Sequence, residues 1–187
     1  MVTMEEHGLV LDFLPYGKST DTKQEPLAQL IGDAYFTLLE VVPKPEAKLQ
    51  ISERIYIGKG DRDKIDHIKG RIIFLDLTSG ARAGLKPTIE KIIKTREQEY
   101  VNFFNKCGPI TIRLHQLELL PGVGKKHMHN IMAEREKKPF ESFADISKRV
   151  PLLPSPSHIL VDRIEEELKG DSKYYVLTRP PHREPMR

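Results

Sequence analysis

The feature that most constrains this chain is the run Leu120-Pro121-Gly122-Val123-Gly124, set between two amphipathic helical stretches. Two glycines one residue apart allow a sharp corner with positive φ at both, and leave the main chain open to close approach by another molecule. Val123, between them, is expected to point inward and anchor the corner. A helix is predicted over Lys125–Lys137, so its first N–H groups have no intrahelical partner. Those amides carry the positive end of the helix dipole and suit a phosphate oxygen. Lys125 and Lys126 add cations at the end of the helix where cations are mildly unfavourable, which points to an outside anion. Gly122, Val123, Gly124, Lys125, Lys126 and His127 are therefore the expected phosphate contacts. His127 and His129 are two residues apart on a helix and face different ways, so no metal is expected there.

Net charge decides where such contacts can lie. The whole chain is only +3, which excludes a uniformly basic coat. Residues 1–80 hold 10 Lys and Arg against 13 Asp and Glu, whereas residues 81–187 hold 20 against 14. The second part is the side expected to meet phosphate. Cys107 is the one cysteine, which leaves no intrachain disulfide and no cysteine-rich zinc site, in keeping with a reducing cytoplasm. No signal-peptide pattern and no apolar run of membrane-spanning length is seen, so a soluble cytoplasmic protein without membrane contact is expected.

The fold expected is α+β: a small amino-terminal barrel over residues 1–84, a helical domain over 85–170, and a strand and flexible tail over 171–187. Strands are predicted at 8–14, 35–42, 51–57 and 68–77, with Pro and Gly at the turns between them. A proline-led helical turn is predicted at 25–31. Several short strands without long intervening helices suggest a barrel. Residues 78–84 look like a flexible joint, followed by one helix from Pro87 to Cys107 with its apolar residues on one face. Further helices are expected at 111–119, 125–137, 142–150 and 155–169. Lys173–Thr178 is a candidate strand that returns to the barrel, and the residues after Pro180 a disordered tail.

Other motifs lead nowhere specific. The stretch from Gly80 to Thr88 has the wrong glycine spacing for a nucleotide-binding loop. Asp61 to Asp66 lacks the glycine and closing glutamate of a calcium loop. No catalytic constellation is apparent, so no enzyme activity and no cofactor are expected. A barrel of the OB type binds single strands on aromatic and basic surfaces. On that view Tyr56, Lys59, Arg62, Lys64, Lys69 and Arg71 form a secondary surface, with Arg82 and Lys86 nearby in sequence.

The corner at 120–124 resembles the helix-hairpin-helix family of nucleic-acid-binding modules. Gly122, Val123 and Gly124 match its Gly-apolar-Gly pattern, Lys125 and Lys126 its polar turn, and Ile131 its last apolar position; Met128 stands where a small residue is usual. The resemblance implies sequence-independent contact with the phosphates of one strand, often with a monovalent cation on the hairpin carbonyls. It also implies a second hairpin related by a pseudo-twofold axis. The segment from Phe140 through Val150-Pro151-Leu152-Leu153-Pro154-Ser155-Pro156 fits that place but lacks the glycines, so a structural role is expected, with Ser155 capping the last helix. Over nearly its whole length the chain looks like an uncharacterised archaeal family predicted to bind RNA. That implies a nucleic-acid partner, RNA before DNA, in ribosome or RNA metabolism and with no known reaction; a DNA-binding or DNA-repair accessory and a protein–protein interaction module are the alternative readings of the same residues.

Overall fold

A computed structural model describes residues 4–181. It is a mixed α+β structure with a five-stranded, curled half-barrel sheet and five helices. The chain divides into two compact units, Met1–Thr88 with Glu166–Arg187, and Ile89–Glu165. The division falls within the first helix and within the last.

The sheet comprises β1 (His7–Leu14), β2 (Leu27–Gly32), β3 (Leu38–Pro43), β4 (Arg54–Tyr56) and β5 (Ile65–Arg71). They are antiparallel in the order β4-β1-β2-β3-β5. Val10, Ala28, Leu30, Val41, Ile55 and Ile65 belong to one buried cluster. All five strands contribute to it, including the two edges, as a sheet curled around its own core requires. The register shifts fit this: β1 carries an extra residue at Leu11 against β2, and β5 carries extra residues at Lys69 and Asp66 against β3, and extra residues bend a strand and increase its twist.

The other face of the sheet is buried as well, and there the polar groups are paired. Gln29 Nε2 donates to Glu40 Oε1 and to the Asp76 carbonyl, both at 2.9 Å, while Gln29 Oε1 accepts from the Thr78 N–H. Lys18 completes the set with a 2.5 Å ion pair to Glu40. Left unpaired, such buried groups would each cost about 1–3 kcal/mol.

Four expectations are corrected here. The helical turn at 25–31 is strand β2, buried at all six positions. A fully buried run of six, apolar but for the paired Gln29, fits a central strand, and ladders to both neighbours outweigh the helix-start signal of Pro26. The joint at 78–84 is the start of helix α1 (Ser79–Thr95), because Thr78 caps it: its Oγ1 accepts from the Ala81 N–H at 3.0 Å. Pro87 accordingly lies inside the helix, on its exposed side. Near Arg96 the helix breaks, and α2 (Glu97–Lys106) follows. The predicted strand from Ile68 ends at Arg71, and Phe74–Asp76 form a 3-10 turn instead.

The second unit is not all helical. Residues 109–115 form a small hairpin, β6 (Pro109–Thr111) and β7 (Leu114–His115), and a 3-10 turn runs over Gln116–Leu119. Helices α3 (Lys125–Lys137), α4 (Phe143–Arg149) and α5 (Pro156–Leu168) follow.

The returning strand is also absent. Glu167 is fully buried, and its carboxylate accepts the N–H groups of Val176, Leu177 and Thr178 at 2.9, 3.1 and 2.8 Å, plus the Thr178 hydroxyl at 3.0 Å. Those amides are the donors a strand ladder would need, and one side chain has taken them. The expected tail beyond Pro180 falls, from residue 182 onward, outside the described residues.

Candidate functional site

The corner is held from below by apolar anchors. Leu117, Leu120 and Val123 are buried, the Leu120 N–H donates to the Leu117 carbonyl, and the Val123 N–H donates to the Leu120 carbonyl at 3.0 Å. Arg163 on α5, itself buried, donates to the Leu119 carbonyl at 3.3 Å. His115 caps the preceding 3-10 turn: its Nδ1 accepts from the Leu117 N–H at 3.1 Å while its own N–H donates to Glu118 at 2.8 Å. Burial, and then the nearby Arg135 charge, holds the His115 imidazole below its ordinary pKa. A neutral ring is what an accepting Nδ1 requires.

Above these anchors the two glycines play different parts. Gly122 has φ +79°, a region unfavourable to other residues, so the turn itself requires it. Gly124 does not share that conformation: at φ −85° and ψ −176° it is extended, contrary to the expectation of two left-handed glycines. A β-carbon added to Gly124 would meet nothing within 4 Å. Neither torsion nor packing demands glycine there.

Gly124 is the N-cap of α3 and provides no capping side chain. The first helical bond runs from the Met128 N–H to the Gly124 carbonyl, at 2.9 Å. The N–H groups of Lys125, Lys126 and His127 precede it, at a corner where Gly122, Gly124, Lys125 and Lys126 are all exposed. Both lysines are free of ion pairs to the described residues, whereas Lys137 and Lys138 at the other end of α3 pair with Glu134 and Glu141. Val123 is buried as anticipated, and so is Met128, which the helix accommodates without disturbing its first turn.

The His127 ring lies 3.2 Å from the Gly122 carbonyl through Nδ1. A carbonyl only accepts, so that contact places a proton on Nδ1, facing the oxygen. The Leu120 carbonyl accepts from the Val123 N–H in the same turn. Elsewhere, no group of three or more His, Cys, Asp or Glu side chains among the described residues is placed to hold a metal.

The secondary basic residues are scattered over the first unit, and several are engaged. Arg62 donates to the Gly58 carbonyl at 2.8 Å, Lys64 pairs with Glu53, and Lys69 approaches Asp21 at 3.3 Å. Arg82 donates to the Leu75 carbonyl at 2.7 Å and lies over the Phe74 ring. Lys59, Arg71 and Lys86 are exposed. Tyr56 is half-buried and folds back on its own loop, accepting the Gly60 N–H on its hydroxyl at 3.0 Å.

One residue escaped the sequence reading. Leu152, in the segment between α4 and α5, has φ +66° and is 89% exposed. The signal was available in the repeat of apolar-Pro-x-apolar, Leu120-Pro121-Gly122-Val123 and Val150-Pro151-Leu152-Leu153. Absence of glycine at the third place concealed it.

Comparison with known proteins places this architecture. The family model described as "Protein of unknown function (DUF655)" matches residues 4–179. The chain belongs to this family. The uncharacterised protein MJ0038 of Methanocaldococcus jannaschii, an archaeal relative, is 45% identical over 177 residues, covering 94% of this chain and 80% of that one. A DUF655 protein of Archaeoglobus fulgidus, known from a crystal structure, is 48% identical with a TM-score of 0.88, over 94% of this chain and all of its own. The α+β architecture is therefore shared within the DUF655 family. Among the described residues of this member, no helix is long and apolar enough to cross a membrane.

Proposed function

We propose that this chain is a non-enzymatic RNA-binding protein that holds the phosphate backbone through a helix-hairpin-helix corner at 120–127, without strong sequence preference. The observation that carries this reading is Gly124. It is a helix start without a capping side chain, extended and open, where Ser, Asn or Asp would have room for its β-carbon and would cap a few tenths of a kcal/mol better than glycine. A position that gives up a cap for no gain in turn geometry or packing is explained by an outside group that takes the amides itself. Phosphate oxygens suit the N–H groups of Lys125, Lys126 and His127, and the two exposed lysines supply charge beside them. Binding through phosphate amides and lysines is blind to base sequence. The preference for RNA, and a place in ribosome or RNA metabolism, rest on the family resemblance, because this chemistry fits either backbone.

The test is binding of the full chain to single-stranded RNA, structured RNA and duplex DNA at two salt concentrations. RNA should bind more tightly than duplex DNA, and affinity should fall with salt at a slope reporting a few neutralised phosphates. Tighter binding to duplex DNA would move the protein to the DNA-binding class. Absence of salt-sensitive binding to all three would end the reading.

A further inference from the structure

The segment between α4 and α5 repeats the geometry of the glycine corner, thirty residues on. In each, an apolar residue is followed by Pro, then a residue with positive φ, then an apolar residue whose N–H returns to the first carbonyl. Gly122 (φ +79°) corresponds to Leu152 (φ +66°), and the Val123 to Leu120 bond of 3.0 Å to the Leu153 to Val150 bond of 3.4 Å. The two loops are neighbours: a β-carbon on Gly122 would lie 3.2 Å from Cγ of Pro154.

Their chemistry differs. Pro154 and Pro156 have no N–H, so the second loop has lost two of the donors that an amide cradle needs. What it offers in their place is Leu152. A γ-branched apolar side chain in the left-handed region is strained, and at 89% exposure it gains nothing from the protein's own core. Glycine or asparagine would hold the same turn with less strain and without an exposed apolar tip. The large apolar side chain therefore works on something outside the chain, next to the open amides.

We infer that Leu152 is an apolar wedge that packs against an unpaired or destacked base of the RNA whose phosphates lie on the Gly124 corner. This rests on the phosphate-binding reading and deepens it. It names the ligand class as RNA with an unpaired nucleotide beside a helix, since the base faces of a continuous duplex are closed to a leucine. Apolar side chains inserted at base steps are an established means of recognising deformable nucleic acid.

The experiment compares two RNA duplexes of equal length, one continuous and one with a single bulged 2-aminopurine. Each is titrated with the wild-type chain, Leu152→Gly and Gly124→Asp. Wild type should bind the bulged duplex several-fold more tightly and change its 2-aminopurine fluorescence. Leu152→Gly, which relieves the backbone, should melt no lower than wild type, lose that preference and the fluorescence change, and bind the continuous duplex as before. Gly124→Asp should weaken both RNAs. If Leu152→Gly keeps the preference and the signal while Gly124→Asp weakens both RNAs, the wedge is refuted and the phosphate cradle stands. If wild type binds neither duplex but binds single-stranded RNA, the wedge falls and the phosphate cradle stands; if it binds no RNA in either form, both readings fall.

Discussion

Replacing Gly124 should move stability and affinity in opposite directions. The position is an extended, uncapped helix start with room for a β-carbon. An aspartate there can accept the N–H of the second or third helical residue and place a negative charge at the positive end of α3. The cap is worth a few tenths of a kcal/mol over glycine. The charge adds about 0.3–1 kcal/mol. Gly124→Asp should therefore stabilise the fold by about 0.5–1 kcal/mol, raising Tm by roughly 1–4 °C for a chain of this size. The same carboxylate occupies the amides that the phosphate needs. Losing one charge-assisted hydrogen bond is worth about 1.5–3 kcal/mol, roughly a ten- to hundredfold loss of RNA affinity before any repulsion. Gly124→Ser, a neutral cap, should fall between. Thermal melting and fluorescence anisotropy on the three proteins give both orders. If the aspartate variant folds and binds RNA as tightly as wild type, the amides are not the contact; if it fails to fold, the corner is not open.

Two further outcomes test the scaffold beneath the site. Glu167→Ala removes the acceptor of three N–H groups, that of buried Thr178 among them, and should cost about 1–3 kcal/mol, read as a lowered urea midpoint together with faster proteolysis at residues 173–181; an unchanged midpoint would refute its anchoring role. His115 is held neutral by burial, so its folded pKa lies below the unfolded value. Its contribution should be complete at pH above about 6.5 and decline as pH falls below that toward the folded pKa, because the unfolded chain then binds the proton more readily. His115→Ala should cost about 1 kcal/mol at pH 7.5 through loss of the cap and should flatten this part of the acid dependence. Identical acid profiles for variant and wild type would refute the assignment.

The fold was most legible where a single local rule applies. Helix α3 begins and ends where the Gly124 corner and the Lys137-Lys138 end place it, and α4 and α5 lie within a residue or two of expectation, because Ser142 caps the one and Pro156 opens the other. The errors arose where distant partners decide. Strand β2 depends on ladders to β1 and β3, and the conformation of 176–178 depends on a carboxylate nine or more residues earlier in the chain. At 78–87 two local signals competed, and the Thr78 cap prevailed over Pro87 because the exposed face of α1 tolerates a proline. At the corner, composition revealed the glycines but not their division of labour. Only the backbone shows that Gly122 serves the turn and Gly124 the opening. Leu152 was hidden although Val150-Pro151-Leu152-Leu153 repeats the pattern of the corner, because a leucine in the third place does not itself announce a positive φ.

The most direct measurement is a titration of isotopically labelled protein with a short RNA, followed by the backbone amide resonances in an NMR spectrum. The N–H signals of Lys125, Lys126 and His127 should shift first and furthest, downfield as donors to phosphate do, and inorganic phosphate at higher concentration should move the same three. Signals at 125–127 that stay in place while others respond to RNA would mean that the ligand sits elsewhere.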